Sequence, residues 1–401
     1  MKLLCISYAL PPIHAPQSMQ IGRLIYYLPK DYELYVACGD SPSDQKDEFY
    51  SDLRSKFKDC ISLEYSINKY LEAIKSRLPV LYKIPDPLKS WNGSIEKKIL
   101  KKWGSEKFDA IITFAYPFSS HLVGAKLKKH FNTKWIAHFS DPWADNPYSR
   151  YDPISRSLNR KMERNVIENA DICIFVSQET KQFYSIQYPE YKSKFFVLEH
   201  SYDPSFYVSK YKKNKKFTLR YMGNFYGARS PEPVFKAISI LLSGGKLNQD
   251  NFVFEIFGGG MKVPFLIKKY GLENIVFQKT TVPYAESLNI MRTSDALIVI
   301  DGVIKMDSIF LPSKLIDYLG SGRPVLGITP KGGASDRVIS KAGGLIADPE
   351  DVPGISEVLQ RTMDLNSKGK LDSLCPSGEV LSEYSIKSKI NELIKIIMML
   401  K

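Results

Sequence analysis

Short β-branched or aromatic runs alternate with longer stretches of helical period along most of this chain, and that alternation is the signature of parallel sheets covered by helices. The first half supplies Lys2 to Tyr8 (KLLCISY), Tyr32 to Gly39, Phe108 to Phe114, Lys134 to Ser140 (KWIAHFS), Asp171 to Ser177 and Lys194 to His200. A second series follows: Phe217 to Gly223, Phe252 to Gly258, Ile275 to Gln278, Asp295 to Asp301 (DALIVID), Pro324 to Ile328 and Gly343 to Ala347. Two sheets are implied, one per half, and 401 residues exceed what one hydrophobic core usually serves. The expected fold class is α/β: two tandem Rossmann-like, doubly wound domains with a cleft between them, where ligands of such folds bind.

Between the two series, Ser201 to Lys216 shows no period and carries the basic run KYKKNKK. The predicted organisation is a first domain at 1–203, a basic linker at 204–216, a second domain at 217–378 and a terminal amphipathic helix at 379–401. That helix is marked by Ile386, Ile390, Leu393, Ile394, Ile397 and Met398. Two other helices show the same period, one through Ile21, Leu24, Ile25 and Leu28 and one through Ile154, Leu158, Met162 and Val166.

The formal net charge of +13 favours anionic partners: nucleic acid, an anionic membrane surface and phosphorylated small molecules all fit. Much of the excess lies between Lys69 and Lys102, with Leu71, Leu78, Leu81, Trp91 and Leu100 interleaved, and in the 210–216 run. The five cysteines form no CxxC pair and read as free thiols of a reducing compartment. The N-terminus reads as a strand rather than a signal peptide, and no run reaches the ~18 apolar residues of a membrane span. A cytoplasmic protein, able to sit peripherally on the inner face of the membrane, is the expectation.

Candidate chemistry lies in the loops after the strands. In MGNFYGARSPEPVF, Gly223 and Asn224 end a strand, Ser230 can cap a helix, Pro231 suits its first position, and Arg229 sits where an anion would be stabilised. In FLPSKLIDYLGSGRPVLGI, a helix starting at Pro312 or Ser313 places Lys314 and Asp317 on one side, at i and i+3. A lysine in a first helical turn opposes the macrodipole by a few tenths to ~1 kcal/mol, and a bound phosphate reverses that sign. Asp317 suits the turn as a capping group and equally suits a sugar hydroxyl. In the first half, HFSDPWADN offers His138 and Asp141 as titratable groups at a strand's end and Trp143 as a flat face for a sugar ring. His14, in PPIHAP, enters the same edge. There is no HExxH, no Cys/His ligand spacing and no Gly-x-Ser-x-Gly, so no metal site is expected.

Taken together, SYALPPIHAP…IGRLIYYL, NRKMERNVIENADICIFVSQET, VPYAESLNIMRTSDALIVI and LPSKLIDYLGSGRPVLGI resemble the retaining, nucleotide-sugar-dependent glycosyltransferases of the family 4 type, over nearly the whole length. The resemblance implies a GT-B fold whose last helix returns to the first domain. It implies a glycosyltransferase of hexosyltransferase type in polysaccharide or cell-surface glycan biosynthesis, with a nucleotide diphosphate sugar as donor and a glycan or lipid-linked saccharide as acceptor. No cofactor, no metal and no nucleic acid partner is expected. Asp317 takes the place of the Glu that holds the donor's ribose; Lys314 and Arg229, with Gly223, Asn224, Ser313 and Leu315 about them, face the diphosphate; Val282, Pro283 and Tyr284 border the base. His138 and Asp141 then serve catalysis beside the transferred sugar or the acceptor, with His14 and Trp143 near the acceptor. The chain departs from the family at three places: Ile309 stands where the first of two paired acids is usual, with Asp307 nearby; Ala15-Pro16 replaces a Gly-Gly; and Arg229 lacks the family's companion lysine, leaving that charge to Lys314. A nucleotide-sugar epimerase of similar build and a non-enzymatic binder of anionic ligands remain as alternatives.

Overall fold

The computed structural model describes residues 1–13, 15–40, 49–64, 84–146, 149, 151–302 and 308–400. They form two compact units, Met1–Glu199 together with Lys389–Lys401, and His200–Ser388.

In the first unit the order is β1 (Lys2–Ser7), α1 (Pro16–Tyr26), β2 (Glu33–Asp40), β3 (Asp59–Glu64), α2 (Lys89–Trp103), β4 (Ala110–Phe114), α3 (Ser119–Phe131), β5 (Lys134–Phe139), α4 (Pro153–Asn169), β6 (Ile172–Phe175), α5 (Gln178–Gln187) and β7 (Phe195–Val197). The strands make one parallel sheet in the order β3-β2-β1-β4-β5-β6-β7. Helices cover both faces, so central strands such as β4 (AIITF) are buried at every residue and read as continuous apolar runs. The exception is β3, absent from the sequence-based series: it is an edge strand, and of DCISLE only Ile61 is buried.

The second unit runs β8 (Phe217–Asn224), α6 (Glu232–Ser243), β9 (Phe252–Gly259), α7 (Val263–Lys269), β10 (Val276–Lys279), α8 (Tyr284–Arg292), β11 (Ala296–Ile300), α9 (Ser313–Gly320), β12 (Val325–Ile328), α10 (Ala334–Lys341), β13 (Leu345–Ala347), α11 (Val352–Ser367) and α12 (Gly378–Tyr384). Its parallel sheet is ordered β10-β9-β8-β11-β12-β13. Strand order reverses between β1 and β4 in one sheet and between β8 and β11 in the other, and the carboxyl ends at such reversals are where ligands of open α/β sheets bind.

The last helix, α13 (Ile386–Met398), starts in the second unit and belongs to the first from Lys389 onward. Its buried apolar residues are Ile386, Ile390, Leu393, Ile396 and Ile397, with Lys389 buried as well; of the expected stripe, Ile394 is only half-buried and Met398 is exposed. The segment that reads as a linker is bound to the second unit. Tyr211 donates to Asp295 Oδ1 at 2.5 Å and lies beneath the Arg323 guanidinium, Asn214 donates to Asp295 Oδ2, Arg292 Nε donates to the Ser209 carbonyl, and Tyr207 donates to the Asp317 carbonyl.

Helix α4 is rotated from the face its apolar period suggests. Ile154 and Leu158 are 63% and 41% exposed, while Ser155, Asn159, Glu163, Val166 and Ile167 are buried. Polar partners decide the rotation: Glu163 accepts from the Ala144 amide and from the hydroxyls of Tyr184 and Tyr188, and Asn159 Oδ1 accepts from Trp143 Nε1. A buried carboxylate met by three donors replaces an apolar seam.

Candidate functional site

At the β8/β11 reversal of the second sheet, three charged side chains from separate loops converge. Arg229, in the turn between β8 and α6, has a side chain only 7% exposed; it donates to the Tyr226 hydroxyl at 2.7 Å and lies 3.7 Å from Asp301 Oδ1. Asp301 directly follows β11, with its other oxygen accepting from Thr329 Oγ1 at 2.9 Å. Lys314, in the first turn of α9, is partly buried; its Nζ donates to the Tyr221 hydroxyl at 2.8 Å and the Met222 carbonyl at 3.0 Å and stands 4.0 Å from the centre of the Tyr221 ring.

Burial holds the Lys314 ammonium down to about 7, with the Arg229 charge adding to the depression and Asp301 offsetting part of it. Two cations and one carboxylate leave a net positive centre with weakly polar walls. Two glycines permit the close approach. Gly223 has φ +115°, and a Cβ there would stand 3.2 Å from Lys314 Nζ. A Cβ at Gly302 would meet Ala228 at 2.9 Å, so the loops after β8 and β11 touch only because this position is glycine.

Asp317, three residues on, is buried; its Oδ1 accepts from the Tyr284 hydroxyl at 2.9 Å, which ties α9 to the start of α8. Pro283 caps α8, with Val282 in the preceding loop; Ser313 opens α9 after Pro312. Asn224 is exposed at the end of β8. Leu315 is different: its side chain is in the core, so only its backbone is available to a ligand. Ile309 is likewise buried, and Asp307 lies outside the described residues. Ser230 Oγ accepts from the Glu232 amide at 3.2 Å but is not the cap of α6: the helix begins at Glu232, Pro231 stands in the N-cap position rather than the first helical one, and no side chain caps the helix.

In the first unit, His138 sits near the carboxyl end of β5, buried, its ring 5.3 Å from Phe114. Its Nδ1 has no hydrogen-bond partner among the described residues, and burial holds the imidazole at about 4, neutral at physiological pH. Asp141 is exposed and lines a cavity together with Tyr116, Phe118, Asp86 and others. His14 lies outside the described residues.

Trp143 is a correction. Its side chain is 0% exposed, stacked on Phe118 with centroids 5.0 Å apart and planes 1° from parallel, and its Nε1 is bonded to Asn159. Both faces of the indole serve the core, so it cannot offer one to a sugar. The basic segment is corrected in part as well: α2 buries Trp91, Ile95, Ile99 and Trp103 and exposes Lys97, Lys98, Lys101 and Lys102, while Leu71, Leu78 and Leu81 lie outside the described residues.

Sequence reasoning passed over Asp301, Tyr221 and Asp86. Asp301 carried a signal, an acid closing the apolar strand DALIVID at its carboxyl end. The two others carried none, since a tyrosine inside a strand and an aspartate between prolines are ordinary on their own.

Among the described residues no group of three or more His, Cys, Asp or Glu could hold a metal ion, and no helix is long and apolar enough to cross a membrane. No family model and no curated protein matches the sequence. Solved structures do match in three dimensions. HepE of Anabaena, in complex with UDP and glucose, is similar at 12% identity and a TM-score of 0.69, with both chains covered completely. Sucrose-phosphate synthase of Thermosynechococcus elongatus is similar at 14% identity and 0.71, covering 100% of this chain and 99% of its own. The lipopolysaccharide outer core galactosyltransferase WaaB, in its apo form, is similar at 13% and 0.63, with the same coverage. The two parallel sheets of seven and six strands, matched over the whole chain, show the fold: two Rossmann-like α/β domains of the GT-B type.

Proposed function

We propose that this chain is a glycosyltransferase that moves a sugar from a nucleoside diphosphate donor, held by the second unit, to a saccharide acceptor held by the first. The observation that carries the reading is the convergence of Lys314, Arg229 and Asp301 at the β8/β11 reversal, with the Asp317–Tyr284 pair beside it. Solved structures of the same fold include one bound to UDP and glucose and another of a galactosyltransferase, which supports a nucleotide-sugar donor.

In this reading the diphosphate lies against Lys314 and Arg229, and Asp317, oriented by Tyr284, accepts from the ribose hydroxyls. The bond between the anomeric carbon and the diphosphate oxygen breaks as an acceptor hydroxyl forms a new bond to that carbon. The two cations neutralise charge growing on the departing diphosphate, so the step runs without a metal. Retention at the anomeric carbon is the expected outcome; the acceptor hydroxyl then approaches on the face from which the diphosphate departs and passes its proton to the departing diphosphate oxygen. His138, neutral and at the carboxyl end of β5, and Asp141 on the following loop serve the transferred sugar or the acceptor. The acceptor is a glycan or a lipid-linked saccharide of polysaccharide biosynthesis, and the exposed lysines of α2 suit a peripheral position on an anionic membrane.

A thermal-shift panel of UDP, GDP, ADP, CMP and their sugars tests the reading. At least one nucleoside diphosphate raises the unfolding midpoint at millimolar ligand. Lys314→Ala and Arg229→Ala each weaken its binding by ~1.5–3 kcal/mol, the scale of a hydrogen bond to a charged group. No shift with any member of the panel sinks the transferase reading.

A further inference from the structure

Two cysteines meet on neighbouring strands of the first sheet. Cys38 lies on β2 and Cys60 on the edge strand β3, with their sulfurs 3.9 Å apart. We propose that Cys60 is a modification site of this chain: its sulfur, which accepts from the Cys38 thiol, is the nucleophile that a low-molecular-weight disulfide converts to a mixed disulfide. The site is independent of the transferase reading.

Burial decides which of the two sulfurs carries the charge. Cys38 is 2% exposed, whereas Cys60 is half-buried on the strand that ends the sheet. A thiolate costs least at the wetter position, so Cys38 keeps its proton and donates it. Two cations stand at the same strand. Lys102 Nζ reaches the Cys60 carbonyl at 3.5 Å, and Arg54 Nη2 donates to the Ser62 hydroxyl at 3.4 Å. Asp59 pairs with the lysine and Asp40 with the arginine, which tempers their field and leaves the Cys38 thiol as the main support. That thiol holds Cys60 below the usual range, against the opposing effect of burial and with Arg54 and Lys102 adding to it. The same bond, and then burial, hold Cys38 well above the range.

The other three thiols are placed differently. Cys5 and Cys173 are 0% exposed, and burial pushes each up to about 12. Cys375 is half-buried like Cys60, but its sulfur donates to Asp372 Oδ1 at 3.9 Å. Burial and that carboxylate both keep it protonated. The thiolate rather than the thiol is the nucleophile, so Cys60 reacts first.

The register sets the product. Val36 faces Cys60 and Cys38 faces Ser62, so the two cysteines are diagonal neighbours, with α-carbons about 7–8 Å apart. A disulfide spans α-carbons roughly 4.4–6.8 Å apart, so the pair does not close on itself while the strands keep their pairing. In the step, the Cys60 thiolate attacks one sulfur of the reagent. The reagent's sulfur–sulfur bond breaks, a new one joins Cys60 to one half, and the other half leaves as a thiolate that takes a proton from water. Cys60 is oxidised, the departing half is reduced, and excess thiol reverses the exchange.

Intact-mass measurement and peptide mapping of the full chain treated with oxidised glutathione test this. A single glutathionyl adduct is expected on Cys60, formed about threefold or more faster than at Cys375; each pH unit of acidity raises the thiolate fraction about tenfold, and part of that gain is lost in nucleophilicity. Cys38→Ala slows the reaction at Cys60 by a similar factor and raises its pH–rate midpoint, while Cys38→Ser, which keeps a donor, retains the rate. Thermal midpoints report whether each variant is folded. Where neither folds, the wild-type pH–rate midpoints decide: Cys60 below Cys375 supports the proposal, and the reverse order or equality overturns it. First labelling at another cysteine, an internal Cys38–Cys60 disulfide in place of the adduct, or a Cys60 rate and midpoint unchanged in folded Cys38→Ala also overturns it.

Discussion

Lys314 Nζ donates to the Tyr221 hydroxyl at 2.8 Å, so a partly buried cation rests on a neutral oxygen with another cation, Arg229, close by. Such a group is costly to the free protein and favourable once an anion is bound. Its depressed value, about 7 against 10.5 when unfolded, means the unfolded chain binds more protons between those limits, so this group's contribution makes stability rise with pH across that window. Lys314→Met is expected to stabilise the protein by ~1–2 kcal/mol at pH 7 while weakening nucleoside diphosphate binding by ~1.5–3 kcal/mol, as Lys314→Ala does, read by urea unfolding and thermal shift.

The same residue couples binding to protons. A diphosphate raises the affinity of Lys314 for its proton, so above pH 7 binding takes up a proton and affinity falls by as much as about tenfold per pH unit. Calorimetry in buffers of different ionisation enthalpy measures the uptake. A Lys314→Arg variant, which stays charged, should lose the dependence above pH 7.

Asp317 and Tyr284 act as one unit in the ribose reading. Asp317→Ala should weaken UDP binding by ~1–3 kcal/mol, and Tyr284→Phe by less, since it only orients the carboxylate. Repeating the measurement with 2′,3′-dideoxy-UDP discriminates: the loss at Asp317 should nearly vanish if the carboxylate holds ribose hydroxyls, and persist if it merely supports the helix.

His138 and His121 set the acid limit of the first unit. Burial holds them at about 4 and about 3, and His138 Nδ1 and His121 Nε2 find no partner among the described residues. Both sit below the unfolded value of 6.5. Their stabilising contribution is therefore complete above pH 6.5 and is lost as pH falls toward 4, with a slope of up to ~1.4 kcal/mol per pH unit for each histidine. Urea midpoints between pH 7.5 and 4.5 measure this, and His138→Asn should flatten the profile.

Glu163 accepts from three donors, the Ala144 amide of the loop after β5 and the hydroxyls of Tyr184 and Tyr188. Glu163→Ala leaves the Ala144 amide and two tyrosine hydroxyls without their acceptor and should cost ~3–5 kcal/mol, read as a lowered thermal midpoint. Tyr188→Phe, which removes one donor of three, should cost ~1 kcal/mol.

Much of the fold is legible in the amino-acid order because parallel α/β architecture is written locally. A strand buried on both faces is a run such as AIITF or ALIVI, and those runs are the strands of the two sheets. Lys314 was legible too, since a cation in a first helical turn is a local anomaly. The edge strand β3 was not, because an edge strand buries one residue and carries no run.

What the order of residues could not settle was orientation. Ile154 and Leu158 have the right spacing for a buried stripe, yet the carboxylate of Glu163 finds three donors across the core and turns α4 the other way. Trp143 looked like a sugar platform until Phe118 and Asn159 took its face and its nitrogen. Asp301 became part of the cationic centre only when β8 and β11, far apart in the chain, lay side by side. The sequence by itself determined the alternation of strands and helices, the two units and the helix-start lysine, since these depend on neighbours along the chain. Which face each helix buries, and which loops meet at a sheet's reversal, rest on contacts between distant segments, and only the tertiary structure decided them.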